Sequence, residues 1–208
     1  MISSSAGNDV ITVVIAIILG YLLGSIPSAY IASRLIKGKD IRQLGGGNVG
    51  ALNTFRQVGR WAGFAVLLAD VGKGAAAVAI AQSLKVPLPF ILLTGMAVVA
   101  GHIWSIFLRF SGGRGMATFL GVLAILMPRE LLIVLVIAAI PIVITRNIPL
   151  FMSVGLASVP VSAWVLEKSG LLVAFSTILL LGMGLNFLPT ARIAWAKSKG
   201  VKDFVWGR

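Results

Sequence analysis

Seven long apolar runs constrain the fold of this chain more than any other feature of its sequence. A run of about 20 apolar residues is the length that an α-helix needs to cross the roughly 30 Å hydrocarbon layer of a membrane. The chain is therefore predicted to be an all-α, polytopic integral membrane protein, with one membrane domain over residues 1–208. The predicted spans are 10–35, 61–84, 89–108, 115–127, 130–145, 149–166 and 170–188. The first is interrupted at 24–28, and the short fourth and fifth could together form one broken hairpin.

The composition supports a membrane location. Of the 208 residues, 58% are hydrophobic and only 12% are charged, about half the charged fraction of a soluble domain. The chain has no cysteine, which excludes disulfides and thiolate metal sites. Residues 1–10 contain no lysine or arginine, and the apolar run that follows is too long for a signal peptide, so no cleaved leader is expected.

The net charge of +12 follows the expected topology rather than nucleic-acid binding. With the N-terminus outside and the C-terminus cytoplasmic, 14 of the 18 lysines and arginines fall in segments predicted to lie inside. Lys73 lies within a span, and those predicted to lie outside are Lys85, Arg129 and Lys168. This is the asymmetry of the positive-inside rule, so no nucleic-acid partner is expected. A polybasic cytoplasmic face attracts anionic headgroups, which makes membrane lipids the expected surroundings.

Two glycine-rich loops lie on the predicted cytoplasmic face, at residues 45–56 and 111–115, and each contains an arginine. Glycines let backbone N–H groups converge on an oxyanion, and arginine supplies a fixed fork of donors for phosphate. The helix N-termini that follow both loops add to the affinity for anions; the alternative is two flexible loops between membrane helices. The predicted phosphate-binding residues are Gly45, Gly46, Gly47, Asn48, Gly50, Gly112, Gly113 and Gly115. The predicted catalytic residues on these segments are Asn53, Arg56 and Arg114.

Three polar residues lie inside predicted spans, where ionised groups are costly and usually mark a functional interior. Asp70 and Lys73 are three residues apart on one helix, so they can pair, either for function or as a structural ion pair. His102, the only histidine, is either a catalytic residue or a hydrogen-bonded packing residue. No Ser/His/Asp arrangement for nucleophilic catalysis is expected, and no carboxylate cluster or HExxH motif predicts a metal site.

Together these motifs resemble the bacterial acyl-phosphate:glycerol-3-phosphate acyltransferase family (PlsY), with the spacing intact over residues 20–121. The matching segments are 23–27, 39–42, 45–53 with Arg56, Asp70 with Lys73 and Gly74, Gly101 with His102, Phe107, Phe110, and 112–115 with Ala117 and Thr118. The resemblance implies seven membrane helices, an outside N-terminus and a cytoplasmic active site in the plasma membrane of a prokaryote. It also implies transfer of a fatty acyl group from acyl phosphate to glycerol 3-phosphate, without a cofactor, giving lysophosphatidic acid for phospholipid synthesis.

The mechanism that the resemblance implies is simple. An acyl phosphate is already an activated mixed anhydride, so no covalent enzyme intermediate is needed. The protein has to anchor two anionic groups and orient a hydroxyl group toward the acyl carbon. Residues 45–50 would cradle one phosphate, Arg56 and Arg114 would neutralise charge, and Asn48 and Asn53 would brace the loop or contact substrate. The leaving phosphate could accept the proton.

Several positions depart from the family pattern. The family usually has serine at the position of Gly46, threonine at Leu52, lysine at Arg114 and serine at Pro149, and its C-terminal histidine motif has no clear counterpart in residues 186–196. Each lost hydrogen bond to a charged ligand costs about 1.5–3 kcal/mol. Two alternatives therefore stay open: a catalytically silent relative that binds anionic lipid or phosphate, and a small transporter. The transporter is disfavoured because the two halves of the chain show no inverted repeat.

Overall fold

A computed structural model describes residues 3–145 and 147–198 of the chain. Within these residues the chain forms ten α-helices and no strand, which confirms the predicted all-α class. The helices are α1 Ser3–Ser25, α2 Ser28–Lys37, α3 Ala51–Gln57, α4 Arg60–Ser83, α5 Leu88–Ile103, α6 Met116–Leu126, α7 Pro128–Thr145, α8 Ile148–Ala157, α9 Val159–Glu167 and α10 Gly170–Lys197. Two short 3-10 helices, Ile41–Gln43 and Ile106–Leu108, lie in the connections.

Six of the described segments are long and apolar enough to cross a membrane, as a multi-pass membrane protein requires. They are Asp9–Lys37, Arg60–Ser83, Leu88–Leu108, Pro128–Thr145, Ile148–Glu167 and Gly170–Ile193. The predicted fourth span corresponds to α6, which has 11 residues. At about 1.5 Å per residue, such a helix reaches roughly half the hydrocarbon thickness. The predicted count of seven crossings therefore stays a prediction.

The predicted interruption of the first span is present as a break between α1 and α2. Pro27 has no N–H group, so it cannot continue the hydrogen-bond ladder of α1. The carbonyl oxygen of Ser25 accepts a hydrogen bond from Ser105 Oγ at 2.5 Å, and that of Ile26 accepts one from Lys73 Nζ at 3.0 Å. Buried backbone oxygens need such partners, so these two side chains stabilise the break.

The chain forms two compact units, Met1–Leu126 and Met127–Arg208. In the first unit, α1 packs on α5 and α4 packs on α6. Glycines allow these close approaches, because a Cβ atom at Gly24 would overlap the Val98 carbonyl and one at Gly74 would overlap the Thr118 carbonyl. The expectation of one domain over residues 1–208 stays a prediction.

In the second unit, α7 packs against α8 and α9, and α9 packs against α10. Gly155 of α8 lies against the backbone of Val134 in α7. Pro149, where the family usually has serine, lies in the first turn of α8. A proline is tolerated there because the first N–H groups of a helix have no intrahelical acceptor.

Candidate functional site

Asn53 braces the first glycine loop from the first turns of α3. Its amide Nδ2 donates to the carbonyl oxygens of Leu44 and Asn48, both at 3.0 Å, and lies 3.4 Å from that of Ile41. The side chain is buried, so these oxygens replace water as its partners. Of the two roles left open for Asn53 and Asn48, the geometry supports bracing for Asn53. The catalytic role of Asn53 and the role of Asn48 stay predictions.

The turn of the first loop leaves backbone N–H groups available to an anion. Gly45 and Gly47 have φ values of +55° and +69°, a region that glycine adopts at low cost. The N–H groups of Gly47 and Gly50 donate to loop carbonyls at 3.0 and 3.1 Å. Those of Gly45, Gly46 and Asn48 have no acceptor among the residues that the structure describes. Neighbouring unpaired N–H groups in a turn of this kind form a concavity that binds anions.

The second glycine loop is tied to the end of α5. The N–H of Gly112 donates to the Ile103 carbonyl at 2.9 Å, and that of Gly113 donates to the His102 carbonyl at 3.0 Å. Carbonyls at a helix end lack intrahelical partners, so the loop satisfies them. Gly112 and Gly113 can therefore serve phosphate binding through the shape of the loop but not through these N–H groups. Gly115, with φ of +82°, leads into α6.

The two glycine loops meet at Gly113. A Cβ atom at this position would overlap both His102 Nε2 and the carbonyl oxygen of Val49 in the first loop. Only glycine fits without a shift of one of these neighbours. The structure thus brings both loops and His102 together at one end of the first unit, which supports the hypothesis of two neighbouring anion-binding loops.

A buried polar cluster lies beside this contact, centred on the carboxylate of Asp70. Lys73 Nζ lies 2.8 Å from Asp70 Oδ1, which confirms the predicted pair. Ser28 Oγ donates to the same oxygen at 2.9 Å, and His102 Nδ1 lies 3.6 Å from it. Because His102 presents Nδ1 to Asp70 and Nε2 to Gly113, its ring connects the cluster to the second loop.

Ser28 Oγ and His102 Nδ1 both approach one carboxylate oxygen of Asp70, a juxtaposition of serine, histidine and aspartate that the sequence did not predict. A nucleophilic triad needs the serine to donate to the histidine. Here Ser28 donates to Asp70 instead, so the arrangement does not activate a nucleophile. Ser28 was missed because it precedes Asp70 by 42 residues. The available signal was a Ser-Ile-Pro-Ser break in an otherwise apolar run.

A small cavity lies between the helix break and this cluster. Its lining includes Ser25, Ser28, Asp70, Lys73, His102 and Ser105. Its volume is about 10 Å³, the room that one water molecule needs. A phosphate group is larger than one water molecule, so this cavity is too small to hold it.

Arg56 and Arg114 are the predicted arginines of the first and second loop segments, and they differ in their surroundings. Arg56 lies in the last turn of α3 and is exposed, and its side chain makes no hydrogen bond or ion pair with the described part of the chain. Arg114 directly follows Gly113 and is half-buried, and burial lowers the pKa of its guanidinium. Arginine stays charged at neutral pH even so. The convergence of both arginines on one anion stays a prediction.

Asp40 and Arg42 form an ion pair beside the first loop that the sequence did not assign to the site. Arg42 Nη2 lies 2.7 Å from Asp40 Oδ2, and Arg42 Nε lies 3.1 Å from both carboxylate oxygens. The hydrogen bonds from Arg42 hold the pKa of Asp40 below its usual range. Residues 39–42 belong to a segment that resembles the family pattern, but opposite charges two residues apart are common on loops, so the sequence did not indicate this ion pair or a role for it.

The chain is similar in sequence to known proteins over most of its length. The chain matches a family model described as glycerol-3-phosphate acyltransferase over residues 14–193. It is 44% identical to glycerol-3-phosphate acyltransferase 1 of Dehalococcoides mccartyi, over 83% of this chain and 86% of the relative. It is 39% identical to the glycerol-3-phosphate acyltransferase of Geotalea daltonii, over 80% of this chain and 85% of the relative.

Solved structures are similar as well. The glycerol 3-phosphate form of PlsY, an integral membrane glycerol 3-phosphate acyltransferase, matches with a TM-score of 0.81 and 28% identity. Its lysophosphatidic acid form matches with a TM-score of 0.76 and 26% identity. Both alignments cover 86% of this chain and 90% of the PlsY chain.

Proposed function

The chain belongs to the glycerol-3-phosphate acyltransferase family, and we propose that it transfers a fatty acyl group from an acyl phosphate to glycerol 3-phosphate. The products are lysophosphatidic acid, which enters phospholipid synthesis, and inorganic phosphate. The observation that carries the proposal is the contact of the two glycine loops at Gly113, since both substrates bear a phosphate group. Neither alternative gains support from relatives that are named as acyltransferases.

In the proposed complex, the first loop holds one phosphate through the N–H groups of Gly45, Gly46 and Asn48. The exposed side chain of Arg56, which has no partner in the described part of the chain, neutralises the charge of the phosphate. Arg114 reaches the same anion from the second loop. Charge-assisted hydrogen bonds of this kind are worth about 1.5–3 kcal/mol each. This arrangement anchors the anions without any residue forming a covalent bond to substrate.

The reaction then depends on orientation. The hydroxyl oxygen of glycerol 3-phosphate attacks the carbonyl carbon of the acyl phosphate, and an ester C–O bond forms. The bond between that carbon and the phosphate oxygen breaks, and the leaving phosphate takes the hydroxyl proton. Atoms and charge balance with acyl phosphate as the sole co-substrate and no cofactor. Holding both reactants in place supplies the rate enhancement, and the proposed role of His102 is to orient them from beside the second loop.

We place the site on the cytoplasmic face of the plasma membrane of a prokaryote. The proposal has an outside N-terminus, a cytoplasmic C-terminus and seven crossings, of which α6 is the short one. Its support is the charge distribution, with 14 of 18 lysines and arginines on one side, as the positive-inside rule requires. Both glycine loops then face the compartment that supplies the two phosphate substrates.

Two of the departures from the family pattern, at Gly46 and Arg114, are compatible with the proposed activity. A Cβ atom at Gly46 would meet no atom within 4 Å, so replacing the usual serine with glycine leaves the fold of the loop unchanged. What is lost there is one hydroxyl contact. Arg114 keeps the positive charge of the usual lysine, with a planar fork in place of a point charge.

Product analysis on purified protein tests the proposal. The protein is given glycerol 3-phosphate and one of two acyl donors, an acyl phosphate or the matching coenzyme A thioester. We expect lysophosphatidic acid from the acyl phosphate, and little or none from the thioester. Product from the thioester alone would contradict the proposed donor. Binding of glycerol 3-phosphate without product from either donor would favour the silent relative.

A further inference from the structure

One arginine, held in an ion pair with Asp40, connects the segments that carry the two glycine loops through its hydrogen bond to the Leu108 carbonyl. We propose that Asp40 and Arg42 are positioning residues that set the spacing between the first loop and the segment leading into the second. The inference rests on the proposed acyl transfer for its kinetic consequence. Its structural content, a fixed distance between two loops, does not depend on that activity.

The guanidinium of Arg42 has two different partners. On one side it is forked onto Asp40, with Nη2 at 2.7 Å from Oδ2 and Nε at 3.1 Å from both oxygens. On the other side Nη1 donates to the carbonyl oxygen of Leu108 at 3.3 Å, across 66 residues of sequence. Leu108 ends the 3-10 helix Ile106–Leu108, shortly before the second glycine loop. Arg42 therefore joins the two loop segments directly.

Asp40 fixes the arginine in this position. Its carboxylate also accepts a hydrogen bond from the backbone N–H of Arg42 at 3.0 Å, capping the 3-10 helix Ile41–Gln43. Asp40 is buried, with an exposed fraction of 7%. A bidentate pair with a planar fork holds geometry as well as charge. The backbone and the side chain of Arg42 are thus fixed by the same carboxylate.

These contacts give Arg42 a different role from the arginines that are proposed to bind the anion. Its charge is compensated by Asp40, and three of its nitrogen atoms already donate to protein oxygens. The side chain of Arg56, in contrast, makes no hydrogen bond or ion pair within the described part of the chain. Arg42 is therefore suited to holding the two loop segments in place, and Arg56 is suited to binding substrate.

A small hydrophobic cluster lies in the same place. Ile41 and Val49 of the first loop segment and Leu108 are buried together with Ala29 and Val66. Apolar packing brings the segments together without direction, whereas the hydrogen bond from Arg42 to the Leu108 carbonyl is directional. The apolar cluster therefore holds the two segments together, and the hydrogen bond from the paired Arg42 sets their relative position.

Arg34 offers a matched control. Arg34 and Arg42 lie over the same Tyr30 ring, at 5.3 and 5.8 Å from its centroid. Arg34 donates to the Tyr30 hydroxyl at 3.1 Å and to the carbonyl of Gly38 at 3.2 Å, so both hydrogen bonds stay within its own helix and the residue that caps it. Its replacement removes a similar exposed charge from a similar place but leaves the connection between the loops intact.

Distance measurement tests the structural claim. The chain has no cysteine, so spin labels can be placed at Gln43→Cys and Ser111→Cys, both exposed positions beside the two loops. We expect a narrow distance distribution in the parent protein and in Arg34→Gln. In Arg42→Gln we expect the distribution to broaden and shift to longer distance. Arg42→Lys gives the same result in milder form, because an ammonium cannot make the fork.

Steady-state kinetics tests the functional claim. For Arg42→Gln we expect kcat/KM for glycerol 3-phosphate to fall about tenfold, the scale of one charge-assisted hydrogen bond, while Arg34→Gln stays at the parent value. The double variant Asp40→Asn/Arg42→Gln should show no larger fall in kcat/KM than Arg42→Gln alone, because both changes break the same connection between the loops. A fall in kcat/KM with an unchanged distance distribution would overturn the proposal, since Arg42 would then act on substrate directly.

Two further outcomes also overturn the proposal. If neither the distances nor the kinetics change in Arg42→Gln, the pair is a surface ion pair of no consequence. If the distances broaden and kcat/KM stays constant, the spacing does not matter for turnover. Failure of the parent protein to use acyl phosphate is a different result, because it removes the proposed function and leaves the distance measurement interpretable.

Discussion

Removing one charge of the buried pair Asp70 and Lys73 should destabilise the protein more than removing both. In Lys73→Met, Asp70, only 1% exposed, loses the ammonium at 2.8 Å, and the Ile26 carbonyl loses its donor at 3.0 Å. An uncompensated buried charge of this kind costs about 3–5 kcal/mol. Ser28 still donates to Asp70, which favours the lower part of that range.

The reverse change gives a similar loss for a different reason. In Asp70→Asn the side-chain oxygen can still accept from Ser28, but Lys73, 8% exposed, is left as a buried charge beside a neutral amide. The double variant Asp70→Asn/Lys73→Met has no unpaired charge. It loses the hydrogen bond to the Ile26 carbonyl, so its cost should be about 1–3 kcal/mol.

Thermal unfolding in detergent measures these differences. For a chain of this size, 1 kcal/mol corresponds to about 2–4 °C in Tm, so each single change should lower Tm by roughly 6–20 °C. The exposed pair of Arg129 and Glu167, with nitrogen and oxygen 3.8 Å apart, is the control, and breaking it should cost less than about 1 kcal/mol. Additive losses in the double variant would refute the reasoning, because they would show that the two charges do not compensate each other.

Three further results are expected. Gly113→Ala should lower kcat/KM about a hundredfold, because its Cβ would overlap His102 Nε2 and a displacement of a site by ~1 Å costs about that much. The control is Gly72→Ala, whose Cβ meets nothing within 4 Å, and its kcat/KM should stay at the parent value. The pKa of Asp40 is held below its usual range, so its ion pair stabilises the fold above pH ~4 and loses this contribution as the pH falls through the lowered pKa. Tm scans from pH ~6 to ~3 should therefore show an acid-side loss of stability that Asp40→Asn reduces. A Gln43→Cys variant should resist an impermeant thiol reagent added to intact cells and react in inside-out vesicles, and labelling from outside would refute the topology.

The spans and the loops could be predicted from the sequence because their signals are local. A membrane helix needs a long apolar run, and six such segments are present within the described residues. The anion-binding character of the first loop also has a local cause. Gly45 and Gly47 adopt positive φ values, and the run of glycines in the sequence indicates this freedom.

What the sequence could not predict depends on contacts between distant residues. The N–H groups of Gly112 and Gly113 donate to carbonyl oxygens at the end of α5. A Gly-Gly pair in a sequence does not show whether its N–H groups are already hydrogen-bonded within the protein. Ser28 shares the carboxylate of Asp70 through the break between α1 and α2. Arg42 reaches Leu108 across 66 residues. Each of these depends on helix packing, which hydropathy and motif spacing do not specify.

The central claim is that both glycine loops serve one phosphate site, and the kinetics of two arginine variants test it most directly. In a preparation that converts acyl phosphate and glycerol 3-phosphate to lysophosphatidic acid, Arg56→Ala and Arg114→Ala should each lower kcat/KM by more than about tenfold, since charge-assisted contacts are worth about 1.5–3 kcal/mol. Arg114→Lys should restore much of the rate, because the family usually has lysine there, and Arg56→Lys should restore little if the planar fork is needed. Full activity in Arg114→Ala would contradict a shared site, and full activity in both alanine variants would remove the loops from catalysis altogether.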